Sequence, residues 1–540
     1  MTPRKFELQY KAVSSLLPGS VRVLAIGIDA GEPVWLERWM EKGALPTISG
    51  IVEKGTYARL QSTAGFSDSV WPSFYTGTGL ATHGYYHFRQ VKPGTVQLIP
   101  TMNRVYRRPF WWLMRGLGRK VTIFDVPKVS VQEEGADYQV IGWGEHYALV
   151  SESRPPDLLL EIRRRFGKHP HNHEVFPTKS VRHEQKLLRR ILRGAVRRAE
   201  AARFLMNQAP WDLFITVFSE SHSAGHQFYH HLDPTSPAYD SQRARVMESA
   251  VREAYVGVDN AIAHILEGIP PDTDIMVFSL HGVETHYATH SLLQPLLVRL
   301  GYQVPASATQ ADPLRVLRDC LPQWIRNQIN AVLPLSTQAD LIARFFEKGC
   351  DWRRTRAVAE DSREGFPWIR INLHGREPWG IVEPGEEYNA LCAELTDELM
   401  KLRIHPGGQR AVREVWRTDQ VFHGSHVREL PDLIVHWERG TAISMLEHPR
   451  AGMITSDLPT IQKSQHTPRG FLAAAGPHFK SGVQVTNAHI VDLAPTLLYL
   501  MGSPIPSDME GRVLRELIQE EFLAKHPIEV AEMDWDAVGW

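Results

Sequence analysis

Two kinds of apolar patterning alternate along the chain. Short apolar runs, partly β-branched or aromatic, occupy 21–29, 120–126, 212–219, 274–280, 431–437 and 470–475. Runs of that length read as strands covered on both faces. Between them the period lengthens. Segment 184–207 places Leu187, Leu188, Ile191, Leu192, Ala195, Ala199, Ala202 and Leu205 at the spacing of one helical face. Segments 247–266 and 490–501 read as helices too, the latter stopped by Gly502. Strands alternating with helices predict an α/β fold, a three-layer α/β/α sandwich around a mostly parallel central sheet. The stretch 314–346 is helical in pattern and predicts a helical insertion or cap over 302–360, inside one catalytic domain spanning 20–520, with 521–540 as a C-terminal tail.

Composition narrows the class without choosing a function. The chain has 540 residues, 43% hydrophobic and 22% charged, with a formal net charge of −1. Such a balance gives neither nucleic acid nor an anionic membrane a reason to bind. The Arg-rich stretches 163–165 and 189–203 read as solvated helix faces. Three cysteines, Cys320, Cys350 and Cys392, are too few for a disulfide framework and match no zinc knuckle, which predicts a reducing, cytoplasmic setting. Arg4 and Lys5 precede no apolar core of a signal peptide, and no apolar run is long enough to span a bilayer.

Histidine is abundant, with 25 residues, and position must decide which of them matter. In open α/β sheets ligands sit beyond the carboxyl ends of the strands. Asp29 follows the first strand, His222 and His226 follow the strand near 212–219, His281 follows the strand at 274–280, and His466 precedes the strand at 470–475. A carboxylate and imidazoles gathered at one sheet edge suit a borderline divalent cation such as zinc, or manganese. His222 and His226 at i, i+4 read either as two rungs facing one ion or as a satisfied polar pair. Ser67 and Ser69 stand ahead of a predicted helix start in Ser67-Asp-Ser-Val-Trp-Pro-Ser-Phe-Tyr-Thr-Gly77. A hydroxyl there reads either as a nucleophile beside an anion-binding helix terminus or as an N-cap. His230, His231, His286 and His290 either line the site or face solvent.

Several motifs resemble one family. Gly27-Ile-Asp29, Gly43-Ala-Leu-Pro46, Trp71-Pro-Ser-Phe-Tyr-Thr-Gly77 and His83-Gly84 resemble the opening of type I phosphodiesterases/nucleotide pyrophosphatases, of the alkaline phosphatase superfamily. The run Ile371-Asn-Leu-His-Gly-Arg-Glu-Pro378, then Pro431-Asp-Leu-Ile-Val435, His466, Ala475-Gly-Pro477 and Asp492-Leu-Ala-Pro-Thr-Leu497 continue in the family's order. The resemblance implies an alkaline phosphatase-like fold and two cations about 4 Å apart that stabilise attacking and leaving oxygens. It implies a covalent intermediate on a Thr or Ser that is also a metal ligand. Counting ten residues back from Gly77 gives Ser67, with Ser69 as the fallback. Asp29 matches the first carboxylate ligand, His226 and His466 match two ligands of one metal, and His281 matches the histidine of an Asp-His-Gly motif.

The chain departs from that pattern at three points. His222 stands where the family has Asp, Leu280 where its Asp-His-Gly has Asp, and Val70 where nucleotide pyrophosphatases have Asn. Leucine cannot bind a cation, so one ion is expected to bind well at His222, His226 and His466, while the site of Asp29 and His281 is weak or empty unless Glu220, Glu284, His286 or His290 compensates. The implied function is metal-dependent hydrolysis of phosphodiester or phosphoanhydride bonds through a Ser nucleophile. The alternatives are a phosphomonoester, phosphonate or sulfate-ester hydrolase of the same fold, or a catalytically degenerate ligand-binding member. The expected cofactor is one or two divalent ions, zinc or manganese. The expected partner is a small phosphorylated substrate, with neither nucleic acid nor membrane; a homo-oligomer is compatible. Arg376 and Glu377 read as structural pairing, and His83 as packing near the nucleophile helix.

Overall fold

Strand β1, Arg22–Ile28, shows how the first structural unit is assembled. Its side chains alternate between two apolar clusters: Val23 and Ala25 enter one, Leu24, Ile26 and Ile28 the other. A period-2 strand with both faces buried needs a layer on each side. The computed structural model describes residues 21–533 apart from 64, 101–104, 133–134, 146–149, 172–177, 179, 289–290, 308–312, 323–324, 326–328, 330–332, 334, 361–365 and 456–462. It divides into two units, one of Met1–Gly79, Val105–Thr285 and Gln462–Trp540, the other of Leu80–Arg104 and His286–Ile461.

The first unit is built on a nine-stranded sheet. We number its strands β1, β2 (Thr56–Gln61), β3 (Val121–Phe124), β4 (Tyr138–Ile141), β5 (Glu152–Arg154), β6 (Leu213–Phe218), β7 (Thr273–Ser279), β10 (Arg469–Ala475) and β11 (Val483–His489). A hairpin-like pair, β8 (Gly282–Thr285) and β9 (Ser464–Thr467), stands outside it. The order across the sheet is β11-β2-β10-β7-β1-β6-β3-β4-β5. β1 lies between β7 and β6, and both pairings are parallel. β10 runs antiparallel to β7 and β2. The carboxyl ends of β1, β6 and β7 and the amino end of β10 therefore share one edge. At Gly470 a Cβ would lie 2.2 Å from the Ser279 carbonyl oxygen, so glycine is what lets β10 approach β7 this closely.

Helices cover both faces. On one lie α1 (Pro33–Glu41), α2 (Pro46–Lys54), α4 (Val181–Met206), α5 (Glu220–Phe228) and α6 (Ala250–Leu266); on the other lie α3 (Val70–Thr76) and α7 (Leu493–Leu500). The 26-residue α4 begins where the Ser180 side chain accepts from the His183 N–H. The segment expected as one helix at 247–266 is interrupted: a helix ends at Met247 and α6 begins at Ala250, with the Ser249 hydroxyl bonded to Glu253 at 2.6 Å.

Arg198, read from sequence as part of a solvated face, is instead fully buried. Its guanidinium donates to Asp125 at 2.6 Å, to Glu220 at 3.1 Å, to the Ser219 hydroxyl at 3.1 Å and to the Gly144 carbonyl at 3.1 Å. His169 reaches Glu220 at 2.8 Å. Helical periodicity marks Arg198 as one more charge on α4; only the loops after β3 and β6, folded over it, remove it from water.

The second unit has its own core and a four-stranded sheet in the order Ala357–Glu360, Trp368–Ile371, Leu433–Trp437, Val412–Arg417, antiparallel throughout. The apolar run at 431–437, read alongside the parallel strands, belongs here; a short doubly buried run does not reveal its partners. Arg376 binds Asp432 through two nitrogens at 2.7 and 2.8 Å, and Glu377 accepts from Arg370 at 2.9 Å, which is the structural pairing expected. The helices Pro313–Cys320 and Leu335–Glu347 also lie in this unit. Among the described residues no helix is long and apolar enough to cross a membrane.

Replacing Arg198 with Met should leave Asp125 and Glu220 as buried, unpaired carboxylates and destabilise the protein by about 3–5 kcal/mol. Chemical denaturation would measure it; a loss below about 1 kcal/mol would show that the network does not hold the two loops.

Candidate active site

The shared strand edge gathers the residues that sequence singled out. Asp29, 1% exposed, follows β1 directly. Its Oδ1 accepts from the Trp71 indole N–H at 2.9 Å, and its Oδ2 lies 2.9 Å from His222 Nδ1. His281 Nε2 is 3.4 Å from Oδ1. One turn of α5 carries His222 and His226 on the same face, with ring centroids 4.7 Å apart. His226 Nε2 faces His466 Nε2 at 2.9 Å, and the Ser464 hydroxyl lies 3.0 Å from His226 Nδ1. β9 pairs with β8, putting His466 opposite Val283, two residues after His281. The rings of His281 and His466 are 4.4 Å apart.

Two overlapping ligand groups result: His222, His226 and His466, and Asp29, His222 and His281, each with its ligand atoms within 4.8 Å of one another. The i, i+4 pair therefore faces a common centre. The His466 pKa is held well below the ordinary imidazole range, first by burial and then by the neighbouring His281, His226 and His222. Neutral imidazole is the form that ligates a metal.

Ser67 and Ser69 separate cleanly. Ser67 opens a single 3-10 turn ahead of α3, and its Oγ lies 2.6 Å from His466 Nδ1. Ser69 is buried and its Oγ donates to the Phe66 carbonyl at 2.7 Å, the local bond of a capping or turn residue. Of these two serines, Ser67 is the one that touches the histidine cluster.

Leu280 is 1% exposed and belongs to the same apolar cluster as Trp71, Phe74 and Phe278. Glu220 is committed to Arg198 and His169; Glu284 accepts from Gln465 at 3.0 Å. Neither joins a ligand group with Asp29 and His281. His286 falls in the other unit, His290 lies outside the described residues, and Val70 is buried in the apolar cluster. Asp29 is thus the one carboxylate in these two groups.

Sequence reasoning passed over Lys128. It stands four residues after β3 ends, 5% exposed, with Nζ 3.4 Å from the carboxylate of Asp68, the neighbour of Ser67. Its backbone N–H donates to Glu145 at 3.3 Å, and burial pushes the Glu145 carboxyl up to about 8. Both Asp125 and Lys128 hold left-handed backbone, φ 61° and 59°. Non-glycine residues occupy that region only where surrounding contacts enforce it. The strand-end rule points to Lys128 as much as to the histidines, but a lysine after a turn carries no spacing signature.

Residues 23–466 match the type I phosphodiesterase / nucleotide pyrophosphatase family. Arylsulfatase K of Homo sapiens is 35% identical over 75 residues, 14% of this chain and 13% of that protein, so the chain matches only a small part of that relative's length. Among solved structures, phosphonoacetate hydrolase from Sinorhizobium meliloti 1021 in complex with phosphonoacetate aligns over 90% of this chain and 96% of that one, at 13% identity and a TM-score of 0.47. Murine ectonucleotide pyrophosphatase / phosphodiesterase 5 aligns over 92% of this chain and 100% of that one, at 12% identity and a TM-score of 0.43. With the family match running from β1 to His466, the chain belongs to the type I phosphodiesterase / nucleotide pyrophosphatase family.

Proposed function

We propose that the protein hydrolyses phosphodiester or phosphoanhydride bonds of a small phosphorylated substrate through Ser67, with a divalent cation held by His222, His226 and His466 and with Asp29 against His222. The contact between Ser67 Oγ and His466 Nδ1, 2.6 Å, carries the reading. The donor set fits one dication: three imidazoles, His466 among them held in its neutral form by burial, with the Asp29 carboxylate in the adjoining group. Zinc suits such nitrogen-rich ligation, and manganese is the alternative. With Leu280 in the apolar cluster, the Asp29 and His281 side supplies too little charge for a second ion of equal affinity. The bound cation would supply electrophilic polarisation of a phosphoryl oxygen.

The chain's own groups do the rest. Ser67 Oγ attacks phosphorus as the bond to the leaving oxygen breaks, and the hydroxyl proton ends on the departing oxygen; His466, its Nε2 turned to the ligand group, keeps its proton on Nδ1 and donates it to Ser67 Oγ, orienting the hydroxyl. The resulting phosphoseryl ester is cleaved by water, which returns Ser67 to its hydroxyl form. The Lys128 ammonium is paired with Asp68 beside Ser67, so an anionic substrate would share that ammonium with the carboxylate. Asp29 holds His222 and His281 in orientation, and Trp71 holds Asp29, the outer-shell arrangement that keeps ligands preorganised.

A sulfatase reading has no support near the nucleophile, because the stretch 65–77 contains no cysteine. We keep 302–360 as a helical insertion and 521–540 as a tail. We also keep a cytoplasmic setting, consistent with three free thiols at Cys320, Cys350 and Cys392.

Ser67→Ala should lower turnover of a bis-aryl phosphodiester by on the order of 10³-fold or more without lowering metal content, whereas Ser69→Ala should keep most activity. Activity surviving in Ser67→Ala would remove it from the nucleophile role. Trp71→Phe, which deletes the donor to Asp29, should weaken metal affinity by roughly 10–100-fold; unchanged affinity in a competitive chelator titration would show that Asp29 needs no such support.

A further inference from the structure

A second polar cluster lies one helical turn beyond His226, within the same unit. The single 3-10 turn Tyr229–His231 continues α5 and brings His230 and His231 together, ring centroids 3.8 Å apart. Glu184 comes from the first turns of α4, Arg243 from the helix Ser241–Met247, and Lys463 stands immediately before β9. Glu184, His230 and His231 are 0%, 1% and 2% exposed. Their ligand atoms lie within 4.8 Å of one another, so geometry alone admits a cation.

Hydrogen bonding and charge point the other way. Lys463 Nζ lies 3.0 Å from His230 Nε2. An ammonium has only donors, so Nε2 must accept, which places the ring proton on Nδ1. That Nδ1 has no hydrogen-bond partner among the described residues, nor has either nitrogen of His231 or Arg243 Nε. At least one His231 nitrogen also carries a proton, whose one nearby acceptor among the described residues is Glu184 at 3.4 Å, so these buried donors are short of acceptors, a costly arrangement. The buried carboxylate of the group is already engaged: Glu184 accepts from Thr178 at 3.0 Å, with Arg243 at 2.9 Å and His231 at 3.4 Å. Within the buried cluster one anion faces two cations; a further carboxylate, Asp240, stands at its exposed edge near Arg243 and His231. A metal ion would add to the buried cations and find the His230 lone pair taken. Burial also pulls the Lys463 pKa below the usual lysine range, a penalty that a counter-ion would relieve.

We propose that Lys463, Arg243, His230 and His231 form a binding site for a small oxyanion of the phosphate class, separate from the Ser67 centre. Charge-assisted donors on three elements suit such a ligand. The anion is either a second acidic group of the substrate, a version that rests on the hydrolase reading, or a free anion, a version that does not.

Isothermal titration of inorganic phosphate into the full chain tests the site itself. His466→Ala breaks the main cluster and removes phosphate binding there. A phosphate-binding event should persist in that variant and weaken at least tenfold when Lys463→Met or Arg243→Gln is added. Lys463 and Arg243 are part-exposed, and thermal unfolding of each variant verifies that it folds. Loss of all phosphate binding in His466→Ala alone, or undiminished binding after both additional changes, overturns the proposal, as does a zinc equivalent that Glu184→Gln removes without any phosphate binding. Kinetics then separate the sources. If the anion belongs to the substrate, Lys463→Met raises KM for a diester bearing a second phosphate and not for a bis-aryl diester. If it is free, phosphate alters bis-aryl turnover without competing for substrate, and Lys463→Met abolishes that response.

Discussion

Asp29 sits 1% exposed at the carboxyl end of the central strand, and its two oxygens are met by an indole N–H and two imidazoles. A carboxylate buried that deeply is tolerated only where donors or a cation answer its charge. That requirement shapes the site. Trp71 in α3 fixes one oxygen, α5 must present His222 to the other, and the turn after β7 must carry His281. The three parallel strands β7, β1 and β6 place these segments side by side because their carboxyl ends coincide. The antiparallel β10 then lets His466 enter from the opposite chain direction.

Rigidity behind this edge comes from a second buried charge system. Arg198 links the turn after β3, the Gly144 carbonyl and the start of α5 through bonds of 2.6 to 3.1 Å. Glycine at 194 and 144 is part of the design: a Cβ at Gly194 would lie 2.6 Å from His169 Nε2, and one at Gly144 would lie 2.6 Å from Arg198 Nη2. α5 is thus clamped at its first turn, where Glu220 sits, and offers His222 and His226 from its next turns. The same helix, running on into its 3-10 turn, delivers His230 and His231 to the positive cluster. One element therefore serves two polar centres of different character, one rich in metal ligands and one rich in donors.

How much of this was legible in the sequence depends on the range of the signal. Strand runs and strand-end residues are local, and they located β1, β6, β7 and β10 together with Asp29, His222, His226, His281 and His466. The family motifs pointed to Ser67 with Ser69 as the fallback; what the motifs could not give is that the Ser67 hydroxyl lies against His466 while that of Ser69 bonds within its own turn. Pairing is not local: the run at 431–437 has the composition of a central strand but joins an antiparallel sheet in the second unit. Burial of charge is not local either. Arg198 and Lys128 look like surface cations until loops distant in sequence cover them, and His230 and His231 acquire their meaning from Lys463, more than 200 residues away. Leu280 was visible as a departure, yet its consequence, a site with a single carboxylate, emerged only when Glu220 and Glu284 proved to be committed elsewhere.

The most direct measurement is metal content at equilibrium, by elemental analysis of protein dialysed against buffered zinc or manganese, for wild type and His226→Ala. One tightly held equivalent per chain, lost in His226→Ala, with any second equivalent appearing only at much higher free metal, is the expected result. Two equivalents of equal affinity, or one that survives the loss of His226, would contradict a centre built from His222, His226 and His466 around a lone Asp29.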